Sequence, residues 1–223
     1  AFVPRPHVFP LETNLDWKIL GALPEMLQTV HGSLHIGLEI ERAENLLVRG
    51  GTSSIGFAAI AVARAAGLEI TATTRSSTKT EDLIAAGAAH VLVDDGSVAD
   101  KARAIYPDGF DRVLELVGTT TLLDSLQAVR RGGIVCMTGI LGGEWVLPEF
   151  SPMADVPTGV KLTSYAGESS DLTPAQLQDY VSRVESGELK LKLGPSYPFG
   201  KLQEAHTTMD RNMALGKIVM EVV

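Results

Sequence analysis

Leu46-Leu47-Val48-Arg49-Gly50-Gly51-Thr52-Ser53-Ser54-Ile55-Gly56, followed by the small-residue run Phe57 to Ala66, decides the fold. The short apolar run reads as a buried strand. A glycine-rich turn then feeds a helix, which Gly67 stops in the C′ position. Outward from there the same order repeats. Leu68 to Thr73 is β-branched and strand-like, and Thr78-Lys79-Thr80-Glu81 has the spacing of a capping box, opening a helix that ends at Gly87. Val91-Leu92-Val93 precedes a helix over Ser97 to Tyr106. Arg112 to Val117 precedes one over Thr121 to Arg131, closed by Gly132-Gly133. Ile134 to Thr138 reads as a fifth strand and Val160 to Tyr165 as a sixth. Short apolar strands alternating with helices predict a parallel sheet covered on both faces, a doubly wound α/β domain.

The flanks are less regular. Residues 1–14 are rich in proline (Pro4, Pro6, Pro10) and read as an extended lead-in. From Leu15 to about Leu38 the apolar spacing is helical, and Pro24 must begin or kink a helix there. After the sixth strand, helices are expected over Pro174 to Ser186 and Leu202 to Arg211. Leu189 to Leu193 alternates like an exposed or edge strand, and Lys217 to Val223 reads as a closing one. The expected division is a lead-in (1–14), the α/β domain (15–170) and a C-terminal extension of helix–strand additions (171–223).

The composition, 45% hydrophobic and 21% charged over 223 residues, is globular. A net charge of −8 argues against binding to a DNA backbone, which needs a concentrated positive footprint. One cysteine cannot form an internal disulfide, and no apolar run approaches the ~18–20 residues that span a bilayer. The expectation is a soluble, cytoplasmic protein.

The glycine loop carries the chemistry. A dinucleotide site needs a tight turn, close approach of backbone to pyrophosphate, and helix N-terminal amides aimed at the anion. Gly51 can make the turn and Gly56 permits close helix–strand packing, with Ser53, Ser54 and Ile55 between them. Ser53 replaces the middle glycine of G-x-G-x-x-G, and its hydroxyl could donate to phosphate. No Gly-Lys-Ser/Thr follows, which excludes a P-loop. NAD binders place an acid at the end of the second strand for the ribose hydroxyls. Here the text runs Thr74-Arg75-Ser76-Ser77-Thr78-Lys79. Hydroxyls with two cations suit a 2′-phosphate, because guanidinium gives paired hydrogen bonds and lysine a point charge. The cofactor expected is NADP(H).

Other constellations yield no catalytic residue. His31 and His35 have i,i+4 spacing but no third metal ligand pattern, so no metal is expected. Cys136 reads as a core residue and His206 as a packed or half-exposed one. None of Tyr106, Tyr165, Tyr180 and Tyr197 has a lysine four residues on, so the short-chain dehydrogenase acid is absent.

Leu46 to Gly56 resembles the first strand and loop of the medium-chain dehydrogenases/reductases, nearest to the zinc-free quinone oxidoreductase-like branch. Further matches are Thr73-Thr74-Arg75-Ser76, Gly87-Ala88-Ala89-His90-Val91, Asp111 to Gly118, Gly132-Gly133-Ile134-Val135 and Gly216-Lys217-Ile218-Val219. The likeness runs from about Trp17 to Val223. It implies a Rossmann sheet in the order 3-2-1-4-5-6 with NADPH at its carboxyl edge. It places Ser53, Ser54 and Ile55 under the pyrophosphate and Thr74, Arg75 and Lys79 at the 2′-phosphate. Leu116, Val117 and Gly118 would lie near adenine and ribose, Thr138, Gly139 and Ile140 would flank the nicotinamide ribose, and Thr29 would sit close to the nicotinamide. The implied activity is hydride transfer from NADPH to a quinone or enone-like carbonyl compound. A homodimer through the sixth strand is implied as well. Two departures stand out. Asp94 occupies the place of a tyrosine beside the cofactor, and the GroES-like catalytic domain that begins family members is missing. A truncated chain or degradation product is therefore expected, one that binds NADPH yet reduces quinones poorly. The alternative is a stand-alone nucleotide-binding module without turnover.

Overall fold

A computed structural model describes residues 2–222. Six strands, β1 (Asn45–Arg49), β2 (Glu69–Thr74), β3 (His90–Val93), β4 (Phe110–Glu115), β5 (Val129–Met137) and β6 (Lys161–Ser164), form one sheet. Their order is β3-β2-β1-β4-β5-β6 and every pairing is parallel. Because both faces are covered, neighbours in one strand enter different cores. Leu46 and Val48 of β1 join the apolar cluster on one face, and Leu47 joins Phe110, Val113 and Val135 on the other. That is why the strand reads as a continuous apolar run rather than an alternation.

The helices are α1 (Trp17–Leu20), α2 (Leu23–His31), α3 (Ser54–Ala65), α4 (Thr80–Ala86), α5 (Ala99–Ile105), α6 (Thr119–Ala128), α7 (Pro152–Asp155), α8 (Pro174–Glu185) and α9 (Leu202–Asp210). Pro24 lies in the first turn of α2, which runs on into a π-helical turn over Gly32–Gly37. The ring of Tyr165 packs on Gly32, where a Cβ would meet it at 1.9 Å. Two strands outside the main sheet, β7 (Leu193–Pro198) and β8 (Lys217–Glu221), pair with each other. Val223 lies outside the described residues. The lead-in makes a 3-10 turn over Arg5–His7 and is tied to α8 farther on. Gln178 accepts from the Glu12 amide and donates back to its carbonyl, and Glu185 accepts from Thr13 and Asn14.

Three expectations are corrected. The Thr78–Glu81 capping box does not form, because the chain enters α4 through a 3-10 turn over Ser77–Lys79, leaving Thr78 short of the cap. The helix expected to reach Arg131 ends at Ala128, because the β-branched Val129 already pairs with Phe110 of β4. Leu189 to Leu193 does alternate, with Leu189 buried and Lys190 and Lys192 exposed, but it packs on the core and pairs only from Leu193 onward.

Candidate functional site

The strand order reverses at β1, between β2 and β4. The crevice beyond the carboxyl ends at such a point is where open α/β sheets bind ligands. A cleft of about 790 Å³ lies there, within the range of roughly 300–1,000 Å³ typical of ligand sites.

Its floor is the turn from β1 into α3. Gly50 takes φ +84°, and the Gly51 amide donates to the Thr73 carbonyl at 3.0 Å, which ties the turn to β2. Gly56 admits no side chain, since a Cβ would stand 2.5 Å from the Gly50 carbonyl oxygen. Ser53 caps α3. Its hydroxyl accepts from the Gly56 amide at 3.0 Å and donates to the Gly50 carbonyl at 2.9 Å. That hydroxyl is spent on the turn rather than held out for a phosphate. The amides of Ser54 and Ile55 make no hydrogen bond among the described residues. They are orphan donors at a helix N-terminus, suited to an anion.

The loop after β2 supplies charge. Thr74 Oγ1 accepts from the Ser76 amide at 3.2 Å, and Ser76 Oγ meets Thr78 Oγ1 at 2.8 Å. Arg75 is exposed and makes no ion pair among the described residues. Lys79 Nζ donates to the Asn212 carbonyl at 2.9 Å. The loops after β4 and β5 close the far side as one unit. Leu141 and Gly142 donate to the carbonyls of Leu116 and Val117 at 3.1 and 2.8 Å. Gly139 has no room for a Cβ, which would lie 2.3 Å from the Leu116 oxygen.

Of the residues singled out in the sequence, Ser53, Ser54, Thr74, Arg75, Ser76, Lys79, Asp94 and Val117 line the cleft. Gly51, Ile55, Gly56, Leu116, Gly118, Gly139 and Ile140 belong to the surrounding turns. Thr29 and Thr138 sit apart and meet through Ser33, whose hydroxyl donates to the Thr29 carbonyl at 2.7 Å and contacts Thr138 Oγ1 at 2.9 Å.

The sequence reading missed two parts of the site. The first is the opposite wall, contributed by the segment from Met209 to Ile218. The second is a buried charge network under the floor. Arg49 is fully buried and pairs with Asp94 and Asp124, and neighbouring Glu115 accepts from the Val117 and Gly118 amides and from Ser125. Burial pushes the Glu115 carboxyl up against those hydrogen bonds. Burial would also raise Asp94, but the hydrogen bonds from Arg49 and Gly96 outweigh it and hold that carboxyl below its ordinary value.

Residues 86–220 match the family described as zinc-binding dehydrogenase. The quinone oxidoreductase of Homo sapiens is 28% identical over 221 residues, covering 96% of this chain and 65% of that protein. An NAD-dependent alcohol dehydrogenase superposes with a TM-score of 0.84 at 21% identity, over 99% of this chain and 63% of its own. A mycobacterial protein complexed with NADPH gives 0.83 at 20% identity, over 95% of this chain and 66% of its own. These superpositions carry the fold, and the chain spans a little under two thirds of the length of the curated relatives it matches. The match also raises the question of zinc. Among the described residues no three of His, Cys, Asp and Glu are grouped to hold a metal ion, so the residues present do not fit one.

Proposed function

The chain belongs to the zinc-binding dehydrogenase family, and we propose that it holds NADP(H) as the cofactor-binding part of a quinone oxidoreductase-like reductase. One observation carries the cofactor choice. At the end of β2, where NAD binders place an acid, Thr74, Arg75, Ser76 and Lys79 put hydroxyls and two cations on the cleft. In this reading the free amides of Ser54 and Ile55 take the pyrophosphate, and the tight glycines Gly51 and Gly56 let it approach. Arg75 and Lys79 take the 2′-phosphate. Leu116, Val117 and Gly118 lie along adenine and ribose, and Thr138, Gly139, Ile140 and Thr29 mark the nicotinamide end.

A bound nicotinamide supplies the hydride. The chain's own task is to orient it and to keep water from the donor carbon. The acceptor class is a quinone or enone-like carbonyl compound, a proposal supported by the human relative's name. A homodimer is proposed too, because β6 ends the sheet and leaves one edge of ladder groups unpaired. Light scattering at tens of micromolar tests it, and a monomer alone would contradict it.

Fluorescence titration tests the cofactor. NADPH should bind at least tenfold more tightly than NADH, a difference of about 1.4 kcal/mol, and Arg75→Ala should erase most of that ratio. Equal affinities in the wild-type chain would contradict the 2′-phosphate assignment.

A further inference from the structure

An acid stands in the cleft where a 2′-phosphate would least tolerate one. Asp94 follows β3, beside Thr74 and Arg75. Its amide donates to the Thr74 carbonyl at 2.8 Å, and the residue lines the cleft. A free carboxylate there would repel a phosphate dianion and could accept from ribose hydroxyls instead, as the acid after the second strand does in NAD binders.

The oxygens of Asp94 are already taken. Oδ2 accepts from Arg49 Nε at 2.8 Å and from Thr73 Oγ1 at 3.4 Å, and Oδ1 accepts from Arg49 Nη2 at 3.0 Å and from the Gly96 amide at 2.9 Å. With about four acceptor positions on a carboxylate, none is left for a ribose. Arg49 is held as firmly. Its Nη1 donates to Asp124 at 2.6 Å and to the Thr121 carbonyl and Ser125 Oγ at 3.1 Å each, and its side chain is 0% exposed. No solvent ion can replace it. A lysine could not make the two-pronged bond.

We propose that Arg49 and Asp94 together set the cofactor preference of the cleft, the guanidinium offsetting the acid's charge and taking two of its acceptor positions so that the cations of the β2 loop decide the binding. The pair acts by orientation and charge, without touching the reacting atoms. This rests on the reading of the cleft as a nicotinamide dinucleotide site.

The test is the ratio of NADH to NADPH dissociation constants, titrated for the wild-type protein, Arg49→Met, Asp94→Asn and the double variant. Arg49→Met uncovers the acid and should lower the ratio about tenfold, toward NADH, through an unscreened like charge near the phosphate. Asp94→Asn removes one negative charge beside the cleft while Arg49 stays paired with Asp124, and should raise the ratio severalfold. The double variant should return near the wild-type ratio. A purely structural role would weaken both nucleotides alike and leave the ratio fixed, which would overturn the inference. Should Arg49→Met fail to fold, Asp94→Asn decides alone, since Arg49 keeps Asp124 as a partner, and an unchanged ratio there is the contrary result. Failure of the wild-type chain to bind either nucleotide would instead contradict the dinucleotide reading, and this inference with it.

Discussion

The two walls of the cleft face the same space and are built by different physics. The sheet-side wall stands on strands buried along their length and on glycine turns with no room for a Cβ, and its charged floor residue Arg49 is sealed from water. The opposite wall, Met209 to Ile218, is mostly surface. Met209 and Met213 are 54% and 62% exposed, and β8 is only half-buried. Asn212 and Leu215 take positive φ (54° and 43°), a region that costs a branched side chain most. Among the described residues it is hydrogen-bonded to the cation loop once, from Lys79 to the Asn212 carbonyl. In the proposed reading, the side that would bind the anion is fixed by the fold, and the side that would cover the ligand is the more exposed one, as binding elements tend to be.

Substitutions on the two walls should therefore differ in scale. The largest effect is expected for Arg49→Met, which leaves Asp94 buried and uncompensated and should cost about 3–5 kcal/mol in urea unfolding. Lys79→Met on the facing bond should cost no more than about 1 kcal/mol. Equal costs would break the contrast. Next comes glycine. Gly56→Ala drives a Cβ to 2.5 Å from backbone oxygen and should cost about 1–3 kcal/mol. Gly200, which has nothing within 4 Å of its Cβ position, should accept alanine within about 0.5 kcal/mol.

A smaller effect should appear in acid. The Asp94 carboxyl lies below its ordinary value of 3.8 in the folded protein, because the hydrogen bonds and charge of Arg49 overcome the burial that opposes them. Its contribution to stability is thus complete above that value and is lost as pH falls through the folded one. Melting temperatures followed from pH 7 downward should drop more steeply for the wild type than for Asp94→Asn. Parallel curves would show that the pair carries no such linkage.

What the sequence disclosed follows the same division. The β1 turn was legible because its signals are local, a short apolar run and glycines at fixed offsets, although the capping role of Ser53 was not read. The cations after β2 were legible because the missing acid is noticed at a known place in the motif. Arg49 hid inside a run that reads as apolar, and its partners Asp94 and Asp124 lie 45 and 75 residues away. The covering wall hid for a similar reason. Asn212 reaches Lys79 across 133 residues, and no periodicity marks a segment whose backbone, more than its side chains, makes the contact. Leu189 to Leu193 shows the converse fault, since its alternation records burial on the core, which a lone strand and a packed extended segment share.

Amide hydrogen exchange with and without saturating NADPH tests the two-walled site most directly. Bound cofactor should slow exchange at the free amides of Ser54 and Ile55 and, by a larger factor, across Met209 to Ile218, while the β1 and β4 ladders, already slow, change little. Protection that leaves both walls unchanged, or that appears only outside the cleft, would contradict it.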